Sequence, residues 1–263
     1  MRVFDVEKRC GRRALFFCAL SVTLWSRATA AQDRNMNHDI RIELPADLEG
    51  ERDRYREDIL AAVDRVAAWF TQQGFETRRE DLIDRAVVLG DIETAQTKVA
   101  AHFGVDRTAV PDSFSGTVDQ KTLFVVCPEV YRKTYIRLYP DWPWDEAQYR
   151  GLIAHEVAHR AHARVAVSLH GSEEAMGPTW FFEGLAILCA GNFEARVGDS
   201  PQLTWEQLMA YVSEDGTKSL GYPTYGRMIR SLAAAFPAKL LIERASDRGF
   251  PQFLEEGYAA RKP

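Results

Sequence analysis

The chain has 263 residues, of which 46% are hydrophobic and 11% aromatic, so it can bury a sizeable core and does not have the composition of a disordered protein. Its formal charge is −5, and it has no basic stripe laced with aromatic residues. Both features argue against nucleic acid as a partner, because phosphate binding needs the opposite sign of charge.

The first 30 residues have the pattern of a cleaved export signal. Basic residues precede an apolar run over residues 14–25, and residues 28–30 read A-T-A, the form of a signal-peptidase site. The run is about 12 residues long, well short of the roughly 20 that a spanning helix needs, so no stable membrane span is expected after cleavage. We therefore predict an exported protein, periplasmic or secreted. Cys127 and Cys189 would remain after cleavage, either paired or as buried thiols.

Residues 31–140 predict an N-terminal α/β lobe. Alternating polarity over residues 40–44 and apolar runs over 86–89 and 123–127 predict three strands of a small mixed sheet. Apolar residues at three- and four-residue steps predict a long helix over 47–73. A shorter helix over 94–103 is followed by a glycine, which is typical of a helix end.

Residues 141–263 predict a mostly helical lobe. The apolar spacing indicates five helices, over residues 145–167, 179–190, 204–212, 223–236 and 238–245. Residues 167–177 are expected to form a loop over the cleft between the lobes. The fold class predicted from these elements is α+β.

Three of the six histidines lie within residues 151–162, GLIAHEVAHRAH. On a helix, His155 and His159 are about 40° apart and one turn from each other, so their imidazoles can hold one ion. Glu156 lies about 100° round from His155, close enough to reach a water on that ion without binding the ion itself. This H-E-x-x-H spacing suits a hydrolytic zinc site.

A catalytic zinc ion usually has three protein ligands, so one more ligand is expected downstream. Position 165 is Val, which excludes the class of sites that has its third histidine there. Glu183 on the following helix is the better candidate, and Glu173 and Glu174 in the connecting loop are alternatives. His162 suits the rim of the site better than a fourth ligand position.

The H-E-x-x-H motif, followed by W-x-x-E-G-x-A at residues 180–186, resembles the gluzincin metallopeptidases. The resemblance covers roughly residues 142–241 and is strongest to the group called peptidase MA-like, with a more distant similarity to the thermolysin and M1 aminopeptidase families. It implies a zincin-like fold in which His155, His159 and Glu183 bind one catalytic Zn²⁺. It also implies that Glu156 is the general base.

The resemblance extends to a further residue and has departures. Families of this kind often have a tyrosine ten residues before a leucine on a later helix, where the tyrosine donates a hydrogen bond to the transition state. Tyr222 has this spacing to Leu232, and Tyr225 is the alternative. Ile187 stands where a thermolysin-like site often has a carboxylate. No G-x-M-E-N stretch precedes the first motif, which favours an endopeptidase over an aminopeptidase.

These features together predict an exported zinc metallopeptidase, a hydrolase whose partner is a peptide or protein substrate. The substrate would bind as an added strand beside residues 123–127, placed at the edge of the sheet. One alternative is a non-catalytic exported module that keeps a peptidase-like fold for binding. Another is a zinc hydrolase that acts on a non-peptide bond. Glu156 argues against the binding module, because a structural metal site has no use for a base.

Overall fold

The computed structural model describes residues 39–193, 202–215 and 220–259. The predicted export signal, residues 1–30, lies outside these ranges. The described part is an α+β structure with one small mixed sheet among mostly helical elements, which confirms the predicted α+β class and the small mixed sheet. None of its helices combines the length and the apolar character that crossing a membrane requires.

The sheet has four strands in the spatial order β1-β2-β4-β3. Their bounds are β1 Arg41–Glu43, β2 Arg85–Leu89, β3 Gly116–Asp119 and β4 Thr122–Val126. β1, β2 and β4 are parallel, and β3 pairs with β4 in the antiparallel direction. β2 and β4 are apolar and buried along nearly their whole length, as is typical of parallel strands that are covered on both faces.

The predicted edge position of residues 123–127 is wrong. β4 lies inside the sheet between β2 and β3, and β3 forms the edge. β3 has the sequence GTVD, which is too short and too polar to be predicted as a strand from its pattern. A tight turn after β3, with Gln120 at a φ of 49°, returns the chain into β4.

Nine α-helices occur in the described ranges: α1 Arg52–Gln72, α2 Ile92–Phe103, α3 Pro128–Leu138, α4 Glu146–His170, α5 Thr179–Ala190, α6 Trp205–Asp215, α7 Tyr222–Ala235, α8 Ala238–Arg244 and α9 Phe250–Ala259. Short 3-10 turns occupy Ala46–Glu51, Arg79–Asp81, Arg107–Ala109 and Glu173–Met176. The helix α3 was not predicted. Pro128 stands at its first position, where proline is favoured because its missing N–H has no partner there in any case.

The helix α4 carries the histidine motif and begins where it was predicted. Asp145 caps it, since its carboxylate accepts a hydrogen bond from the backbone N–H three residues further on, at 3.1 Å. The helix continues to His170 and ends at Gly171, which has a left-handed φ of 78°. The predicted loop over residues 167–177 is therefore wrong in its first part. Its second part contains the 3-10 turn Glu173–Met176, which packs against α4.

Neighbouring elements hold α4 in the core. Ile153, Val157 and Ala161 are buried on the face of α4 that meets the core, and α4 packs against α1, α5 and β3. Gly184 of α5 faces α7. A Cβ at position 184 would lie only 2.8 Å from the backbone oxygen of Tyr225, so glycine permits the close approach of α5 and α7.

The two cysteines of the described chain are free and buried. Cys127 lies at the start of α3 and Cys189 near the end of α5. The sequence left open a disulfide or two buried thiols, and the structure has the buried thiols.

The burial of one face of α4 predicts unequal costs for the same substitution along this helix. Val157 is 0% exposed and Val167 is 44% exposed. We expect Val157→Ala to lower the free energy of unfolding by about 2 kcal/mol because it leaves a cavity. Val167→Ala should change it by about 0.5 kcal/mol or less. Urea unfolding followed by circular dichroism measures both, and equal costs would contradict the packing of α4.

Candidate metal centre

The two imidazoles of the α4 motif point to one place. His155 Nε2 and His159 Nε2 lie 3.0 Å apart, and the two ring planes are perpendicular, at 90°. Residues four apart on a helix lie on the same face one turn from each other, which is why the motif brings these atoms together. Both side chains are largely buried, so the two nitrogens meet where solvent has little access.

Glu183 reaches the same place from α5. Its Oε2 lies 3.1 Å from His155 Nε2 and 3.4 Å from His159 Nε2. Pro178 holds the capping position of this helix, and no side chain caps it. The carbonyl of Pro178 accepts the first backbone hydrogen bonds of α5. Glu183 follows one turn later and faces α4.

The three side chains form a group whose ligand atoms are close enough together to hold one metal ion. A tetrahedral zinc site has bonds of roughly 2.0–2.1 Å to nitrogen and oxygen, so its ligand atoms lie about 3.3 Å from each other. The observed separations of 3.0, 3.1 and 3.4 Å bracket that value. The arrangement of His155, His159 and Glu183 therefore fits one small divalent cation.

Electrostatic coupling sets the ionisation of this group. Burial alone would raise the pKa of Glu183, but the imidazoles of His159 and His155 outweigh burial and lower it. Burial alone would lower the pKa of His159, but the charge and the hydrogen bond of Glu183 raise it. Glu183 is thus held as a carboxylate, which is the form that binds a cation.

Glu156 lies beside the three ligands and faces the edge strand. Its carboxylate is buried and accepts no hydrogen bond from the residues that the structure describes. A Cβ at position 116 would lie 2.9 Å from Cγ of Glu156, so Gly116 leaves the space that this side chain fills. Burial raises the pKa of Glu156, and His155 and His159 oppose this only in part. The role of Gly116 was not predicted, because β3 itself was not predicted.

Tyr222 opens α7, and its ring lies 5.4 Å from the ring of His155, edge-on at 69°. It is 41% exposed, so one side of the ring is open. The charge of Glu183 is the main cause that raises the pKa of Tyr222 well above its ordinary value, so the phenol keeps its proton. Tyr225 is buried, and its hydroxyl accepts the backbone N–H of Leu220 at 3.4 Å. Of the two tyrosines, Tyr222 is the one whose ring lies against His155.

The other candidates from the sequence lie outside the cluster. His162 is buried, with its ring 5.9 Å from that of Phe181, and burial, followed by a neighbouring imidazole, lowers its pKa to about 3. Glu173 pairs with Arg160 at 3.3 Å. Neither Glu173 nor Glu174 belongs to the metal-ligating group.

The ring nitrogen of His159 that points away from the cluster has no hydrogen-bond partner to orient the ring. Nδ1 of His159 is buried, and nothing in the described ranges hydrogen-bonds to it. Ile187, one turn past Glu183, is buried and offers no carboxylate. A histidine bound to zinc usually donates this second N–H to an acceptor, so the site departs from the common pattern at this point.

The chain matches no family model, no curated protein and no solved structure. The resemblance to gluzincins therefore stays a prediction, carried by the motifs at residues 155–159 and 180–186. The candidate metal centre is defined by the geometry of its own side chains.

The geometry predicts that Glu183 is needed for metal binding. Glu183→Gln keeps the shape of the side chain and removes its charge, so we expect the affinity for Zn²⁺ to fall by at least about 100-fold, more than the 10–100-fold typical of losing a supporting contact. Isothermal titration calorimetry measures the affinity. His170→Ala, at the exposed end of α4, is the matched control and should bind as the wild type does. Binding of Zn²⁺ by Glu183→Gln with wild-type affinity would disprove the ligand assignment.

Proposed function

We propose that the chain is an exported zinc-dependent metallopeptidase that hydrolyses peptide bonds. The observation that carries this proposal is the convergence of His155 Nε2, His159 Nε2 and Glu183 Oε2 within 3.4 Å, with Glu156 buried beside them. Two imidazoles and one carboxylate are typical of catalytic zinc sites, whereas structural sites usually have four cysteine or histidine ligands. Export follows from the pattern of residues 1–30.

His155, His159 and Glu183 would hold the ion. When bound, Zn²⁺ lowers the pKa of a water molecule towards neutrality. Glu156 accepts a proton from the attacking water at a carboxylate oxygen and then delivers it to the nitrogen of the departing amine, so the carboxylate is regenerated in each cycle. Its place one residue after His155, on the side of α4 that faces β3, supports this role.

Tyr222 would stabilise the charge that develops on the carbonyl oxygen of the substrate. Its phenol keeps the proton that such a hydrogen bond requires, and its ring is fixed against His155 on one side and open on the other. A donor that is already in place stabilises the charge that develops in the transition state, and no free energy is spent on reorganising the site. Tyr225 is engaged with Leu220 and has no such role in the proposal.

The substrate would bind along β3 and not along β4. An edge strand has backbone N–H and C=O groups that an extended peptide can pair with. Gly116 of β3 lies against Glu156, so a peptide that pairs with this strand passes the proposed base. This arrangement suits cleavage within an extended chain, in line with the endopeptidase activity that we favour.

The proposal is tested by digestion of a broad peptide library with and without a chelator. We expect zinc-loaded Glu156→Gln to cleave at least about 100-fold more slowly than the wild type, since general base catalysis contributes 10²–10⁴ in rate. Its affinity for zinc should be unchanged. Glu174→Gln, an exposed carboxylate outside the cluster, is the control.

Full activity of Glu156→Gln would remove Glu156 from its role. Zinc binding by the wild type without cleavage of any peptide would contradict the proposal. The hypotheses to test next would then be a non-catalytic binding module and a hydrolase that acts on a non-peptide bond.

The two tyrosines of α7 should respond differently to loss of their hydroxyls. We expect Tyr222→Phe to lower kcat by roughly 100-fold with little change in KM, the loss typical of one oxyanion donor. Tyr225→Phe should leave kcat unchanged and lower the free energy of unfolding by about 1 kcal/mol, because it removes a buried hydrogen bond. Steady-state kinetics and urea unfolding of both variants measure this. The reverse pattern would assign the donor role to Tyr225.

A further inference from the structure

A cavity lies at the carboxyl ends of β2 and β4 and shares no lining residue with the candidate metal centre. Its volume is about 320 Å³, at the lower end of the range for small-ligand sites. Gly90, which follows β2, and Cys127, which follows β4, both line it. Crevices at the carboxyl ends of neighbouring parallel strands are where sheets of this kind commonly bind ligands.

Tyr55 of α1 is the group in this cavity that points to a ligand. Its side chain is only 2% exposed, and it lines the cavity. Its hydroxyl forms no hydrogen bond with any residue of the described chain and is not one of the fully enclosed polar atoms, so it can bond to a ligand in the cavity. The ring of Tyr149 packs edge-on against that of Tyr55, with centroids 6.4 Å apart, and so fixes its orientation.

The charge of the cavity wall selects the sign of the ligand. The charged side chains of the wall are those of two arginines and four acidic residues, namely Arg54, Arg132, Asp47, Glu51, Glu129 and Glu146. Arg54 is already paired with Glu51 and Glu146, at 3.0 Å each, and Glu129 is paired with Lys133 at 2.8 Å. Asp47 forms no ion pair within the described ranges and is therefore available to a cation. An anion in this cavity would face four carboxylates.

We propose that this cavity binds a primary ammonium group on an aliphatic chain. The ammonium has three N–H donors, which match the free carboxylate of Asp47, the oxygen of Tyr55 and a further carboxylate of the wall. Trp144, which also lines the cavity, offers an aromatic surface to the cation and its methylene groups. Such a group belongs either to a free alkylamine or to a lysine side chain of a partner protein. The site is independent of the proposed peptidase activity.

Isothermal titration calorimetry of the full chain tests the proposal with two probes. Cadaverine, a five-carbon diamine, represents the free amine, and the blocked peptide acetyl-Gly-Lys-Gly-amide represents a lysine side chain. Pentanediol is the uncharged control of the same length as cadaverine. We expect saturable binding of at least one amine probe and none of pentanediol. Tighter binding of cadaverine would assign the site to a free amine, and tighter binding of the peptide to a partner's lysine.

Variants tie the binding to the cavity. Asp47→Asn and Tyr55→Phe should each weaken amine binding by about tenfold, the loss typical of one hydrogen bond to a charged group. Asp47 is exposed, so its variant remains informative even where Tyr55→Phe destabilises the fold. Glu57→Gln removes an exposed carboxylate of α1, the helix that carries Tyr55, at a position outside the cavity. This control variant should bind amines as the wild type does.

Arg132 decides between a cation and an anion as the ligand. Its side chain is exposed at the cavity, so Arg132→Gln should tighten amine binding by removing a like charge. Weaker amine binding by Arg132→Gln would overturn the proposal. Absence of binding of both amines, equal binding of pentanediol, or an equal loss in Glu57→Gln and Asp47→Asn would also overturn it.

Discussion

The packing of α5 against α4 is the constraint on which the candidate metal centre depends. A single helix supplies two imidazoles by its own periodicity, but the carboxylate has to come from elsewhere. Phe181 and Leu185, on either side of Glu183 in the sequence, are buried in the core and so fix the rotation and depth of α5. Ligand geometry tolerates errors of only about 0.5 Å. Apolar packing remote from any charge therefore sets the distance from Glu183 to the histidines.

The same packing concentrates ionisable groups where water is scarce. Glu156 and Glu183 lie close to His155 and His159 on two buried helices, and burial of such groups costs free energy unless each finds a counter-charge. Glu183 has the imidazoles as partners, whereas Glu156 has no hydrogen-bonding partner in the described chain. Buried ionisable groups without a partner cluster at functional sites, where a substrate or an ion supplies the missing interaction.

The sequence predicts well the parts of this structure that depend on local spacing. The start of α4, the buried strands β2 and β4 and the shared face of the two histidines all follow from periodicity within one element. The order of strands does not, since it depends on contacts between distant segments, and so β4 was placed wrongly at the edge. β3 and α3 were missed because one is short and polar and the other begins with a proline that also suits a loop. Glu183 could be proposed from its motif, but its distance from the histidines required the packed helices.

A strand edge that is open to a peptide is also open to another copy of the same chain. Long, flat and apolar edges lead to aggregation, and natural proteins limit this with short strands and charged residues. β3 has four residues and ends at Asp119, whose carboxylate contacts His102 at 2.8 Å. The brevity that hides this strand from sequence analysis thus restricts self-association, while it leaves a length of backbone that one extended segment can occupy.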